Sequence, residues 1–267
     1  MQNLFDIAEQ CLNASNPDAK CLQTEQASAA WVVGELSIEN NSPPSDISEP
    51  GRPDKPELVL PKDLRQRKTG NKQGHAALIH SIAHIEFNAI NLAWDAVYRF
   101  RDMPERFYAD WIKVAREEAY HFGLLREHLR SLGHDYGDFP AHNGLWEMAQ
   151  QTAHDGMVRM ALVPRVLEAR GLDVTPGMIK RLEQQGDRRA VEILDIILRD
   201  EIGHVEIGTR WFRYYCQQRD LDPEKVFAEL IEKYMKGMVR GPFHYMAREQ
   251  AGFTESEMNM LENLQRI

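Results

Sequence analysis

Apolar residues recur at three- and four-residue spacing over four long stretches of the chain, at residues 72–101, 105–131, 145–169 and 188–218. This spacing places the apolar side chains on one face of an α-helix. The pattern therefore predicts four amphipathic helices whose apolar faces are buried. Pro164 lies within the third helix and is expected to kink it.

The rest of the chain shows weaker patterns. Residues 1–36 have enough helical periodicity for one or two short helices, and another short helix is predicted near 176–185. Residues 40–61 read NNSPPSDISEPGRPDKPELVLP, where six prolines exclude a helix and favour an extended strap on the main body. Amphipathic helices return after about Asp222, and no strand-like alternation of any length occurs.

These elements predict an all-α fold with two parts. Residues 1–61 are expected to form an N-terminal helical segment followed by the proline-rich strap. Residues 62–267 are expected to form a four-helix bundle with additional C-terminal helices. A chain of 267 residues with 43% hydrophobic residues is long enough to bury a substantial core.

Composition and charge limit the cellular location and the classes of binding partner that we expect for the protein. The net charge of -9 disfavours a nucleic-acid surface, and no window approaches the apolar length that crosses a bilayer. The amino terminus lacks the features of a signal peptide, so we expect a cytoplasmic protein without a membrane partner. Cys11, Cys21 and Cys216 lack CxxC spacing, which argues against a disulfide framework or a thiolate zinc site.

Each of the four long helices carries one glutamate on its apolar face, and two of them add a histidine three residues later. The residues are Glu86, Glu118, His121, Glu168, Glu201 and His204. Residues at i and i+3 share a helix face, so each histidine projects beside its glutamate. Four converging carboxylates in a core would repel each other unless cations neutralised them. The set therefore predicts a metal site.

The ligand types narrow the choice of metal. Oxygen-rich coordination with one nitrogen per ion suits iron, and also manganese, better than zinc, magnesium or calcium. One glutamate from each of two helices and Glu-x-x-His from each of two others is the pattern of di-iron and di-manganese bundles. A single Glu-x-x-His is usually a solvated helix face, but here both copies lie on apolar faces. Along the sequence, each copy follows another glutamate on an apolar face at a distance of about the length of one helix hairpin.

Other polar residues near these positions have a supporting role or a structural one. His84 lies two residues before Glu86 and hence on another helix face, so we interpret it as a histidine that either supports the ligands or packs in the core, without binding the metal. Asp95, Asp200 and Glu117 either orient the ligand histidines or pair with arginines at the surface. These alternatives stay open at the level of sequence.

Several stretches resemble a known protein family. They are HIEFNAINLAWDAVYRF, EEAYHFGLL, GDFPAHNGLW, LVPRVLEARGLDVTPGM, RDEIGHVEIGTRWF and RGPFHYMAREQAGF. They are similar to the ferritin-like family catalogued as domain of unknown function 455, from about residue 50 onward. The resemblance implies a ferritin-like four-helix bundle with a two-metal site, and all six predicted ligands match it.

The expected function is an oxidoreductase in which two iron ions activate O2 to hydroxylate or oxidise a small, unidentified substrate. It would need an electron donor that the sequence does not identify, and a homodimer is a candidate assembly. The alternatives are iron oxidation or peroxide removal of the ferritin and rubrerythrin type, a structural two-metal bundle, and a tRNA-modifying hydroxylase. A more distant kinship to a tRNA hydroxylase supports the last of these, whereas the acidic charge opposes it.

Overall fold

The computed structural model describes residues 1–39, 43–64 and 71–264. The chain is mostly helical, which confirms the predicted all-α class. It divides into two compact units, 1–150 and 151–267. Among the described residues, no helix combines the length and the apolar character that a membrane crossing requires.

The first unit is built around a long helical hairpin. Its helices are α1 (Leu4–Asn13), α2 (Pro17–Val32), α3 (Lys72–Arg99), α4 (Glu105–Ser131) and α5 (Gly144–Gln151). Two-residue strands β1 (Gln2–Asn3) and β2 (Leu36–Ser37) pair in parallel, and Pro61–Asp63 forms a 3₁₀ turn. Helices α3 and α4 pack along each other, with α1 against α3 and α2 against α4. The bounds of α3 and α4 lie within two residues of those predicted.

A buried lysine fastens the N-terminal helices to this hairpin. The Lys20 ammonium donates hydrogen bonds to the Cys11 and Leu12 carbonyls at the end of α1, and to Asn91 Oδ1 on α3. On α3, Trp94 Nε1 donates to Thr24 Oγ1 at 2.9 Å. Buried polar groups need partners, so these contacts fix α1 and α2 against α3.

The proline-rich segment is hydrogen-bonded to the end of the same unit. Residues 43–60 contain no helix, and Trp146 Nε1 on α5 donates to the Ser48 carbonyl at 2.9 Å. An isolated bridge joins Leu58 to Ala141. Residues 40–42, part of the predicted strap, lie outside the described residues.

The second unit packs its helices around one long helix. Its helices are α6 (Gly156–Leu162), α7 (Ala169–Gln185), α8 (Arg188–Gln218), α9 (Pro223–Met235), α10 (Tyr245–Gln250) and α11 (Glu255–Leu264). Helices α6 and α7 both pack against α8. The predicted bounds of α8 were right, and the Asp187 side chain caps the helix by accepting a hydrogen bond from Ala190 N at 3.0 Å.

The predicted continuous helix over 145–169 was wrong. The helix stops after Gln151 and restarts at Gly156, where the Asp155 carboxylate accepts a hydrogen bond from Met157 N at 2.8 Å. A π-helical turn, Val163–Glu168, then joins α6 to α7. Pro164 lies in this turn, and its missing N–H favours a departure from regular α-helix at that point. Helix α7 therefore begins well before residue 176.

The π-helical turn approaches α8 closely at a glycine. A Cβ at Gly208 would overlap the Cβ and Cγ atoms of Pro164. Only glycine allows the two backbones this separation. The turn that carries Glu168 is thus packed directly on the helix that carries Glu201 and His204.

Candidate metal centre

The first unit brings together three of the predicted ligands. Glu86 lies on α3, and Glu118 and His121 lie one turn apart on α4. His121 Nδ1 is 3.2 Å from Glu86 Oε2 and 3.5 Å from Glu118 Oε2. The Glu86 residue is 2% exposed, and the other two are fully buried. This group of three residues is called the α3–α4 site below.

The α3–α4 site attracts positive charge. Burial lowers the pKa of His121, but hydrogen bonds and charge from Glu118 and Glu86 outweigh it and raise that pKa to about 11. Two buried carboxylates next to one imidazole therefore favour a cation strongly. A proton on His121 can supply it, and so can a metal ion.

The geometry of the α3–α4 site fits a metal ion. One ligand atom from each residue lies within 4.8 Å of the others. Donor atoms that bind one ion at about 2.1 Å are separated by about 3.0 to 3.4 Å in octahedral or tetrahedral arrangements. The two measured distances to His121 Nδ1 are close to this range. Two carboxylates and one imidazole can accordingly hold a metal ion.

The second unit holds the other three predicted ligands. On α8, His204 Nδ1 lies 3.6 Å from Glu201 Oε2, with His204 fully buried and Glu201 7% exposed. Glu168 is the last residue of the π-helical turn; it is half-buried, and its Oε2 atom is buried. This pair on α8 repeats the spacing and the proximity of Glu118 and His121.

The residues considered for a supporting role have other contacts. Asp95 pairs with Arg99 at 2.8 Å, Asp200 with Arg199 and Glu117 with Lys113. His84 Nδ1 hydrogen-bonds Tyr136 Oη at 2.9 Å, and its Nε2 lies 3.0 Å from the His142 carbonyl oxygen. Both ring nitrogens of His84 are engaged in holding the 134–144 connection, as expected of a core histidine.

Sequence patterns missed four buried cations, Lys20, Arg159, Arg165 and Arg248. Lys20 and Arg165 are both fully buried. Long basic side chains usually extend to the surface even from an apolar face, so their position in the sequence gives no sign of burial. The fully buried Arg165 lies three residues before Glu168, within the π-helical turn, and its contacts support that turn.

The profile of the family described as "Protein of unknown function (DUF455)" matches residues 13–259. The chain belongs to this family. An uncharacterized protein of Haemophilus influenzae (strain ATCC 51907 / DSM 11121 / KW20 / Rd) is 55% identical over 216 residues. That match covers 78% of this chain and 75% of the relative. No solved structure has significant similarity to this DUF455 chain.

Proposed function

We propose that this DUF455 protein is a ferritin-like, di-iron oxidoreductase that oxidises a small organic molecule with O2. Its two metal ions would be held by Glu86, Glu118, His121, Glu168, Glu201 and His204. The α3–α4 site carries the proposal, because two carboxylates and one imidazole converge there with almost no exposure. The same Glu-x-x-His arrangement on α8 supports a second ion.

The charges of the proposed ligands suit two divalent ions. Four carboxylates carry four negative charges, which balance two divalent cations, and neutral imidazoles add nitrogen donors without charge. A neutral assembly lowers the cost of burial that ionised carboxylates otherwise have. Glutamate oxygens and one nitrogen for each ion suit iron, with manganese the competing metal.

In this proposal, helices α3 and α4 hold the ligand side chains in position around the metal. Ferrous ions, when bound, supply electrons to O2. Glu118 and His121 hold their relative position because both extend from one turn of the uninterrupted helix α4. Glu86 approaches them from α3, which packs along α4 over much of its length. The burial of these side chains excludes water and strengthens their charge interactions.

Anaerobic titration with ferrous iron tests the proposal. We expect two ions per chain in the wild-type protein, followed by O2 uptake and a change in the visible spectrum on mixing with O2. Glu118→Gln and Glu201→Gln remove one charge each from the proposed ligands and should each lose about one ion. Glu117→Gln and Glu206→Gln make the same change on the same two helices and should keep both ions.

The possible results separate the proposed function from its alternatives. If Glu118→Gln and Glu201→Gln each still bind two ions per chain, the ligand assignment is refuted. Tight binding of two ions without O2 uptake would favour a structural metal site. Continued turnover of ferrous iron without an added organic substrate would favour iron oxidation.

A further inference from the structure

A small cavity of about 160 Å³ in the second unit lies among four arginines. They are Arg165, Arg170, Arg240 and Arg248. The cavity is formed by the π-helical turn, α7, the connection after α9, α10 and α11. Asp173 is the acidic residue of its lining. So many guanidinium groups around one cavity are costly unless anions balance them.

One carboxylate serves two of these arginines. Arg248 Nε and Nη2 donate to the two oxygens of Asp173, at 2.9 and 2.7 Å. Arg170 Nη1 is 3.8 Å from Asp173 Oδ2 and donates to the Arg240 carbonyl at 2.7 Å. The bidentate pair with Arg248 occupies Asp173, so the charge of Arg170 is only partly balanced.

Of the other two arginines, Arg165 has a carboxylate partner and Arg240 adds unbalanced positive charge. Arg165 pairs with Glu257 at 2.6 Å, and its Nη1 atom is buried without a hydrogen-bond partner among the described residues. The side chain of Arg240 is exposed and has no carboxylate within ion-pair distance in the described part of the chain. Within the described part of the chain, Asp173 and Glu257 are the carboxylates that pair with these four arginines, which leaves two positive charges in excess.

Apolar side chains complete the lining of this cavity. Met235, Val239 and Phe243 contribute to the wall. Met238 also belongs to the lining and is 64% exposed, which makes one side of the opening apolar. A cavity of this kind combines a cationic interior with a hydrophobic rim.

We propose that the arginine cavity binds the oxyanion group, phosphate or carboxylate, of a small molecule that also has an apolar part. Guanidinium groups match both oxyanions through paired N–H donors. The volume is below the roughly 300 Å³ of a pocket that encloses a whole ligand, so it admits the charged group and a few carbons. The remainder would lie over Met238. This site requires no metal and is separate from the proposed oxidoreductase function.

Isothermal titration calorimetry on the full chain tests this site, with butyl phosphate as the probe. We expect saturable binding at one site per chain, with the same affinity whether or not ferrous iron has been added. Arg240→Gln should weaken binding about tenfold, since a hydrogen bond to a charged group is lost. Arg170→Gln should have a similar effect. Arg181→Gln removes an exposed charge from the same helix, α7, and should leave the affinity unchanged.

Further probes identify the part of the ligand that is recognised. Inorganic phosphate and 1-butanol should each bind more weakly than butyl phosphate, since each lacks one of the two parts. Tighter binding of butyrate than of butyl phosphate would identify a carboxylate as the natural group. Equal affinity for inorganic phosphate would overturn the apolar part of the proposal. Absence of saturable binding, or equal losses in Arg240→Gln and Arg181→Gln, would overturn the site itself.

Discussion

Replacing Lys20 by methionine should change how the stability of the protein depends on pH. Lys20 is fully buried. Its ammonium nitrogen donates to the carbonyl oxygens of Cys11 at 2.7 Å and Leu12 at 2.9 Å, and to Asn91 Oδ1 at 2.7 Å. Burial lowers its pKa from 10.5 to about 7, although the nearby Cys11 and Cys21 thiols favour the charged form. Lys20 is therefore easier to deprotonate in the folded chain than in the unfolded chain.

The direction of the effect follows from proton binding. Between pH 7 and 10.5 the unfolded chain holds a proton on Lys20 that the folded chain has released, so stability rises with pH in this interval. Below pH 7 both states are protonated and the cost of burying the charge is fully present. The contribution of Lys20 increases by about 2 kcal/mol between pH 7 and pH 9.

The neighbouring thiols contribute in the opposite direction. Burial raises the pKa of Cys11 to about 12 and of Cys21 to about 11, from 9.0. Above about pH 9 these thiols ionise first in the unfolded chain, and stability then falls with pH. Both cysteines remain in Lys20→Met, so their effect largely cancels when the two proteins are compared.

Urea unfolding followed by circular dichroism at pH 6, 7, 8 and 9 measures this difference. The quantity compared is the free energy of unfolding of the wild type minus that of Lys20→Met. We expect this difference to increase by about 2 kcal/mol between pH 7 and pH 9. Lys180→Met replaces an exposed lysine and should give a curve parallel to that of the wild type. A Lys20→Met curve that is also parallel would refute the shifted pKa.

Three further substitutions, one of them with a matched control, test separate parts of the molecule. Gly208→Ala adds a Cβ that overlaps Pro164 in the π-helical turn and should lower the free energy of unfolding by about 2 kcal/mol. Gly203→Ala is the control, because the space around that position is open. It should change the free energy of unfolding, measured in urea, by less than about 1 kcal/mol. His84→Ala should leave the metal count per chain unchanged, and loss of half the metal would make His84 a ligand. Glu257→Gln leaves the fully buried Arg165 without its carboxylate and should cost about 3 kcal/mol; an unchanged urea midpoint would contradict this.

The helices that carry Glu-x-x-His could be predicted well from the sequence. Both are uninterrupted amphipathic stretches with clear end signals. Pro104 precedes the start of α4 and Gly133 follows its end, while Asp187 caps α8. Local signals decided these bounds, and the i and i+3 rule then placed each histidine beside its glutamate. The proximity of Glu86 to the pair on α4 was the part that needed the tertiary fold.

The break before α6 was harder to foresee. The dipeptide Asp155-Gly156 is a turn signal, but the apolar periodicity continues on both sides of it and suggested one helix. The structure shows what decides the outcome. A Cβ at Gly156 would overlap the ring of Tyr215, so the start of α6 packs tightly against α8. Contacts of this kind involve residues far apart in the sequence, which periodicity does not record.

Among the features that the sequence did not predict, the π-helical turn affects the proposed metal site most, because it sets the position of Glu168. A turn with one extra residue rotates every later side chain by about 100° relative to the earlier ones, so a face assigned from residues before Val163 does not extend to Glu168. Accordingly Arg165 is fully buried while Glu168 is half-buried. The position of Glu168 thus depends on the packing of this turn, namely Gly208 beneath Pro164 and the Arg165–Glu257 pair. Glu118 and Glu201 depend mainly on regular helix. Among the proposed ligands, Glu168 is consequently the one that distant substitutions should displace most easily.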